Sequence, residues 1–446
     1  MIRYLTVNFL SYFRMNLPDA GLLSNSIRVS QTTVFFQIDK LLTLRPAAHK
    51  GARGVINEAD LGIIDDAAMV IKAGKISWVG STADLPKIFQ KKGIKRISLK
   101  GRTVVPAFVE CHTHSVFAGN RAHEFELRQQ GMSYLEISLK GGGILSTVRA
   151  TRAAGKKELQ KNLEMWTEAF LSQGVTTLEI KSGYGLSDES EIKMLEVAKG
   201  LRWIRTVATY LGPHAVSPEF TSATKYIDHI IKKTLPLIKK SKLAKRVDIF
   251  IENGYFSLED GERYLSAAKK MGFDLTIHAE QLSHTGAAAL GCKLGAKSVD
   301  HLVELSDADI KALGLSSTTC VLLPVADYYL KIRYPRALDL IAANARIALA
   351  TDFNPGSSPS PDLMFAGLLA RMQMGLSLPQ VIVAYTLGAA YALGLETQVG
   401  SIEVSKDADF LVLSGAWQEL FYQVGFSPVG QVWTRGQKIY ENKFAI

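Results

Sequence analysis

Short apolar strands alternate with helical segments from about Pro106 to Leu395, and this alternation limits the possible folds most. Helical patterns lie at Lys157–Gln173, Glu189–Gly200 and Leu258–Met271. Repeated strand–helix units favour a parallel sheet, and about 290 residues suit a closed eight-stranded barrel better than an open sheet. We therefore predict a (β/α)8 TIM-like barrel over residues 106–394. After an initial strand at 103–109, the predicted strands are residues 175–180, 206–211, 247–251, 274–279, 297–302, 319–324 and 346–351.

Both ends of the chain have a different pattern. Residues 33–105 and 395–446 contain short strands with Gly or Asp at the turns, and residues 66–80 alternate as a β-hairpin does. We predict one small β-sandwich domain built from both ends. Residues 1–32 carry no clear pattern; we interpret them as an extension of little structural importance or as the result of an early start codon, with an organellar transit segment left open.

The composition is that of an ordinary globular protein. Hydrophobic residues make up 47% of the chain and charged residues 21%. No apolar run reaches the roughly 18 residues that a membrane helix needs. Three widely spaced cysteines fit a reducing compartment without disulfides, so we expect a cytoplasmic protein, with Cys111 packed in the core.

A formal net charge of +10 raises the question of a nucleic-acid partner. Much of the basic excess lies in residues 230–246, where lysines alternate with Ile and Leu at roughly helical spacing. This spacing favours a solvated helix face over a binding surface. We expect neither a nucleic-acid nor a membrane partner; a homodimer is a possible assembly.

The stretch FVECHTH at residues 108–114 contains His112 and His114 with one residue between them. Side chains at i and i+2 of a strand point to the same face, so the motif brings two imidazoles together as a borderline metal ion requires. Two histidines at a loop mouth without a metal remain an equal alternative when this motif is considered alone.

Other polar residues at strand ends strengthen the metal interpretation. Asp352 directly follows the predicted strand 346–351. A strand-end Asp alone is more often a helix cap, but three imidazole nitrogens and one carboxylate oxygen suit a metal ion with room for water. His49, His123, His229 and His284 are expected to be ordinary surface residues or residues of a second layer behind the site. Five of the nine histidines lie at or just after strand ends, where barrels hold their active sites: His112, His114, His214, His278 and His301.

These motifs resemble the amidohydrolase superfamily, whose members combine a metal-bearing (β/α)8 barrel with a small β-sandwich built from both chain ends. KSGYGL (181–186) and TDFNPGSSP (351–359) are specific to a ring-opening branch of histidine degradation. The resemblance implies hydrolysis of the cyclic amide C–N bond of 4-imidazolone-5-propanoate to N-formimidoyl-L-glutamate. Another cyclic amidase or a deaminase is the alternative. The matching stretches are residues 108–114, 117–128, 141–154, 178–186, 210–216, 277–283, 299–302 and 350–359.

The resemblance also implies roles for individual residues. One zinc or iron ion would be held by His112, His114, His278 and Asp352. Arg121 would bind the substrate carboxylate through its planar guanidinium. Asp352 and His301 would handle protons. The remaining expected substrate contacts are Tyr184 and His214 at the ring or tail, Gln281 at the ring nitrogens, Asn354, Gly356 and Ser357 on the far side of the pocket, and Tyr134 at the tail.

Several of these roles have alternatives. Arg121 could instead form a surface ion pair with Glu124 or Glu126. Gln281 stands where some members carry Glu, and a carboxamide cannot move a proton. Glu280 is a nearby carboxylate whose direction the sequence does not give.

Three further features bear on the resemblance. Lys181 is similar to the modified bridging lysine of two-metal relatives, but the resembled branch uses one metal, so that role is not assigned to it. Ala107 and Phe353 depart from the usual pattern and are expected to be packing changes. The triple glycine at 141–143 is expected to form a loop near the pocket mouth.

Overall fold

A computed structural model describes residues 32–132, 136–137 and 140–442, so the interpretation of residues 1–31 lies outside the described residues. The strands are β1 Thr32–Leu42, β2 Ile63–Lys72, β3 Lys75–Ser81, β4 Lys95–Ser98, β5 Thr103–Pro106, β6 Phe108–Glu110, β7 Val175–Lys181, β8 Arg205–Tyr210, β9 Arg246–Val247, β10 Asp274–Ala279, β11 Ser298–His301, β12 Thr319–Leu322, β13 Arg346–Leu349, β14 Phe410–Leu413, β15 Val429–Thr434 and β16 Gln437–Glu441. The α-helices of the described residues are Arg45–His49, Ala122–Gln129, Ile144–Ala153, Lys156–Ser172, Asp188–Gly200, Ala223–His229, Leu235–Ser241, Leu258–Lys270, Ala287–Leu294, Asp307–Leu315, Pro324–Leu330, Ala337–Ala342, Leu363–Met374, Leu378–Val383 and Ala389–Leu393.

Strands β6 to β13 form one parallel sheet in chain order, and helices connect most of the successive strands. Beyond the last strand, a parallel bridge joins Thr113 to Phe353, and the His114 amide donates to the Phe353 carbonyl at 2.8 Å. These contacts bring β6 and β13 together and nearly close the barrel. The predicted barrel is confirmed, and the C-terminal ends of its strands meet at one face.

The second sheet contains strands from both chain ends, in the order β16-β15-β14-β5-β1-β2-β3, with β4 beside β1. The predicted hairpin is confirmed, since β2 and β3 pair antiparallel. The sheet encloses a core in which the Phe35 ring lies 5.2 Å from Phe410 and 4.9 Å from Trp433, both edge-on. Aromatic rings in this geometry attract one another beyond their burial.

The prediction of a single strand over the apolar run 103–109 is wrong. The run forms two strands in different sheets: β5 pairs with β1 and β14, whereas β6 pairs with β7. The backbone changes partners at Ala107, whose amide donates to Asp409, while the Phe108 amide donates to Gly174. Both strands are buried throughout, so the hydrophobic pattern shows no break.

The predicted strand 247–251 is also shorter than expected, because only Arg246 and Val247 pair regularly. The Asp248 carboxylate accepts hydrogen bonds from the backbone amides of Ile249 at 2.7 Å and His278 at 3.2 Å. The side chain therefore replaces the backbone acceptor of the Ile249 amide, whereas the His278 amide also donates to the Ile249 carbonyl at 3.0 Å. Similarly, residues 399–409 contain no regular strand before β14.

The basic segment forms a π-helical turn, Ile230–Thr234, that continues into the helix Leu235–Ser241. Pro236 lies in the first turn of that helix, where its missing amide hydrogen is least costly. Four isoleucine and leucine side chains of the segment, Ile230, Leu235, Ile238 and Leu243, are buried, whereas its lysines are exposed, which confirms the solvated helix face. No helix among the described residues combines the length and the apolar character needed to cross a membrane.

Candidate functional site

Four of the predicted residues converge at the C-terminal face of the barrel. One nitrogen from each of His112, His114 and His278 lies within 4.8 Å of the other two. The Asp352 Oδ1 atom is 3.3 Å from His112 Nε2 and 3.4 Å from His114 Nε2. His114 Nε2 and His278 Nε2 face each other at 3.4 Å. Three imidazole nitrogens and one carboxylate oxygen around one point form a donor set that suits a divalent metal ion.

Buried carboxylates orient two of these histidines. Asp300 Oδ2 lies 2.6 Å from His112 Nδ1, and Asp248 Oδ1 lies 3.1 Å from His278 Nδ1. A proton on each Nδ1, donated to the carboxylate, leaves each Nε2 with a lone pair toward the metal position. Burial also lowers the pKa of His114 to about 4, although Asp352 opposes this, so that imidazole is neutral at pH 7.

Lys181 lies behind the cluster and connects these carboxylates. Its Nζ atom is 2.9 Å from Glu179, 2.9 Å from Asp248 and 3.7 Å from Asp300, and all four side chains are buried. Burial alone favours the neutral amine, but the charges of the three carboxylates raise the pKa of Lys181 above its usual range. Lys181 is therefore an ammonium ion held by carboxylates, which leaves it no role as a metal ligand.

A cavity opens beside the four residues and contains most of the predicted substrate contacts. Tyr134 lies outside the described residues, so its prediction stays open. Gly356 lies behind the Arg121 guanidinium, where a Cβ atom would come within 2.0 Å of Nη1. The cavity is lined by His114, Arg121, Ile144, Tyr184, His214, Phe250, His278, Gln281, Leu282, His301, Leu330, Asp352, Asn354 and Ser357.

Arg121 forms an ion pair with Glu124, but the pair is buried in the cavity wall and is not on the surface as the alternative assumed. The distance from Nε to Oε2 is 2.7 Å, and the side chains are 5% and 3% exposed. Glu124 also accepts hydrogen bonds from the Gly143 amide at 3.1 and 3.3 Å. Glu124 thus links the guanidinium to the glycine loop, a role that the sequence pattern does not reveal.

His301 adopts a left-handed backbone, with φ of 79°. Its ring lies 5.2 Å from the His278 ring and 5.6 Å from the His112 ring. Burial holds the pKa of His301 well below its usual range, although Asp352 opposes this, so the imidazole is neutral at pH 7. Its Nδ1 atom has no hydrogen-bond partner among the described residues.

Glu280 points away from the site. Its carboxylate accepts hydrogen bonds from the amides of Thr285 at 2.6 Å and Ala288 at 3.0 Å. The Ala288 amide lies in the first turn of the helix Ala287–Leu294, and Thr285 precedes this helix by two residues; the first amides of a helix have no partner within it. Glu280 therefore caps this helix, and Asp352 and His301 remain as the candidates for proton transfer.

Another buried carboxylate shapes the loop that carries Tyr184. Glu191 accepts hydrogen bonds from the amides of Gly183 at 3.0 Å, Gly185 at 2.7 Å and Leu186 at 2.8 Å. His214 Nδ1 lies 3.1 Å from the Gly183 carbonyl. The same loop therefore positions two cavity residues, and the His214 ring stacks on His114 at 4.9 Å. Glu191 is absent from the residues predicted from the sequence.

The segment after β13 turns sharply around Asn354. Its Oδ1 atom accepts from the amides of Gly356 and Ser357, both at 2.8 Å, while its Nδ2 atom donates to the Asp352 carbonyl at 2.7 Å. Asn354 therefore lines the cavity and also holds the turn that presents Asp352. Phe353 packs against Trp166 at a ring distance of 4.8 Å, in agreement with its prediction as a packing residue.

Comparisons with known proteins identify the family of this chain. The family model described as "Amidohydrolase family" matches residues 103–438. An imidazolonepropionase from Bdellovibrio bacteriovorus is 51% identical over 404 residues, which cover 90% of this chain and 95% of the relative. An imidazolonepropionase from Shewanella baltica is 44% identical, with 86% and 95% covered.

Solved structures resemble the chain at much lower identity. An adenosine deaminase from Xanthomonas campestris with bound zinc has a TM-score of 0.67 and 17% identity, covering 91% of this chain and 92% of that one. A guanine deaminase from C. acetobutylicum with bound guanine has a TM-score of 0.67 and 14% identity, covering 92% and 100%. At such identities these structures bear on the fold alone.

Proposed function

The chain belongs to the amidohydrolase family and, within it, to the imidazolonepropionases, and on this basis we propose how its residues carry out the reaction. The enzyme hydrolyses the cyclic amide C–N bond of 4-imidazolone-5-propanoate and yields N-formimidoyl-L-glutamate. The observation that carries this function is the 51% identity to an imidazolonepropionase across 90% of the chain. The deaminase alternative rests on structural neighbours at 17% and 14% identity.

Turnover of freshly prepared 4-imidazolone-5-propanoate tests this function. We expect purified protein to remove the substrate's absorbance and to form N-formimidoyl-L-glutamate, identified by mass spectrometry. Protein treated with a chelator serves as the control and should recover activity with zinc or iron(II). Deamination of adenosine or guanine without hydrolysis of the imidazolone would show that the chain acts as a deaminase.

We propose that His112, His114, His278 and Asp352 hold one divalent ion, zinc or iron(II). Imidazole nitrogen suits both metals. When bound, such an ion lowers the pKa of water to about 7 and so supplies a nucleophile at neutral pH. Metal analysis of protein purified without added metal distinguishes the two ions.

Protein residues then move protons and stabilise charge. The Asp352 carboxylate borders the metal position, with Oδ1 3.3 Å from His112 Nε2 and 3.4 Å from His114 Nε2, and it accepts the proton of the attacking water. It passes this proton to the leaving ring nitrogen as the C–N bond breaks. The neutral His301 donates a hydrogen bond to the carbonyl oxygen while negative charge develops there.

The other cavity residues orient the substrate. Tyr184 and His214 contact the ring or the tail, and Gln281 contacts the ring nitrogens, while Asn354 and Ser357 close the far side. Arg121 binds the propanoate.

We further propose a cytoplasmic enzyme, because all three cysteines are free and two of them are buried. A homodimer remains a prediction for a sedimentation experiment.

Arg121→Met should lower kcat/KM by about 10- to 150-fold, since a charge-assisted hydrogen bond contributes on the order of 1.5–3 kcal/mol. The loss should appear mainly in substrate binding, and the metal content should stay unchanged. Arg121→Lys should recover only part of the activity, because an ammonium lacks the planar fork. Steady-state kinetics and metal analysis of each variant provide the measurement.

A substrate analogue with a neutral amide in place of the propanoate provides the control. If Arg121 binds the carboxylate, the losses from the variant and from the analogue should overlap rather than add. Full additivity would show that another residue binds the tail.

A further inference from the structure

A second cavity lies at the opposite end of the barrel from the proposed active site. Its volume is about 430 Å³, and it opens where β8, β9 and β10 begin. It is strongly basic: five cationic side chains line it and only one carboxylate. These charged residues are Lys199, Arg205, Lys242, Lys245, Arg246 and Asp274.

Arg246 is the unusual member of this set. It is 2% exposed, its Nε atom has no hydrogen-bond partner among the described residues, and none of their carboxylates forms an ion pair with it. The Nη1 atom donates to the Ala392 carbonyl at 2.8 Å. Burying a charge without a partner of opposite charge is costly. An anion bound beside this guanidinium would therefore stabilise the folded protein.

The other charged groups of the cavity leave this guanidinium without a counter-charge. Arg205 already binds the carboxylates of Asp407 and Asp409, the latter at 3.1 Å. Asp274 is the backbone partner of Arg246 across β9 and β10, yet the two side chains form no ion pair in the described structure. The two lysines at the edge of the cavity, Lys242 and Lys245, are exposed and have no carboxylate partner among the described residues.

We propose that this cavity binds a small oxyanion, such as phosphate or a carboxylate, with Arg246 as the buried ligand and the lysines at the entrance. A guanidinium presents two parallel N–H donors to two oxygens of such an anion, and Arg246 lines the cavity without a carboxylate partner among the described residues. The lysines add attraction at longer range. The site is separate from the metal cluster, which lies at the C-terminal ends of the barrel strands.

Calorimetric titration of the full-length, metal-loaded enzyme with inorganic phosphate, at constant ionic strength, tests the proposal. Glutarate in a parallel titration distinguishes a phosphate site from a carboxylate site. We expect saturable binding of at least one of the two. Arg246→Met should weaken that binding by about 10-fold or more, whereas Arg45→Met, at an exposed position outside the cavity, should leave it unchanged.

Thermal stability gives a second readout. Methionine fills much of the arginine's volume and removes an unpaired buried charge, so Arg246→Met should unfold in chloride at a temperature no lower than the wild type. Only the wild type should gain stability from the anion. Turnover by Arg246→Met should equal that of the wild type. An equal anion response in both proteins, or no binding of either anion by the wild type, would overturn the proposal.

The variant Asp274→Asn distinguishes an anion site from an internal ion pair between Arg246 and Asp274. If the cavity holds an anion, removal of this carboxylate should strengthen phosphate or glutarate binding by reducing repulsion. If Arg246 pairs with Asp274 in solution, Asp274→Asn should instead destabilise the protein in every buffer and fail to improve anion binding, which contradicts the proposed site.

Discussion

His112→Ala abolishes both metal binding and turnover: this is the largest effect that we expect from a single substitution. The substitution removes one of three nitrogen donors and leaves the buried Asp300 carboxylate, 2.6 Å from His112 Nδ1 in the intact protein, without that partner. The Lys181 ammonium, 3.7 Å from Asp300, still balances that charge, so the variant can fold and the loss is that of a metal ligand. Metal content by elemental analysis and turnover of 4-imidazolone-5-propanoate should therefore fall together.

Two further variants make the result specific. Asp300→Asn keeps all four proposed ligands but removes the carboxylate that lies beside His112 Nδ1 and the Lys181 ammonium. It should weaken metal affinity by roughly 10- to 100-fold without abolishing it, as measured by competition with a chromophoric chelator. His284→Ala removes an exposed histidine that pairs with Asp309 and should change neither property. Full metal occupancy in folded His112→Ala would show that His112 is not a ligand.

His301→Asn should lower kcat by about 10²-fold or more while the metal content stays at the wild-type level, as expected for a group that stabilises developing charge or moves a proton. Asparagine tolerates a left-handed backbone better than most residues, so the backbone at position 301 can be retained. Steady-state kinetics and elemental analysis on the same preparation give both quantities.

His301→Ala tests the same role without a polar side chain and should be at least as impaired as the asparagine variant. Circular dichroism of both variants controls for misfolding. Loss of metal from either folded variant would make His301 a metal ligand, and a wild-type kcat would remove it from the reaction.

The barrel and the cluster of three histidines and Asp352 can be predicted from the sequence because both depend on local patterns that few other folds or sites produce. Alternating strands and helices limit the topology, and histidines at strand ends stand out against an apolar background. His112 and His278 are therefore visible in the sequence as candidate ligands. Their placement follows from strand geometry, in which the barrel brings all C-terminal strand ends to one face.

The carboxylates that position the site cannot be predicted in the same way. Glu124 and Glu191 lie on helices whose glutamates look like ordinary surface residues, yet each is buried and accepts backbone amide hydrogens from a cavity loop. Asp248 interrupts a strand that its apolar neighbours predict. Their roles depend on which loop folds against them, and that information is absent from local sequence patterns.

The joint between the two sheets has a consequence for biosynthesis. Strand β5 lies between β1 and β14, and β6, which leads to His112, follows it after one residue. A ribosome delivers β14 only after the whole barrel has been translated, so one edge of β5 stays open until then. A nascent chain that ends before Phe410 presents an unpaired apolar strand to other chains, a known route to aggregation. The open edge of β5 is therefore paired only when the last three strands have been translated. Until then, chaperones can bind the exposed strand.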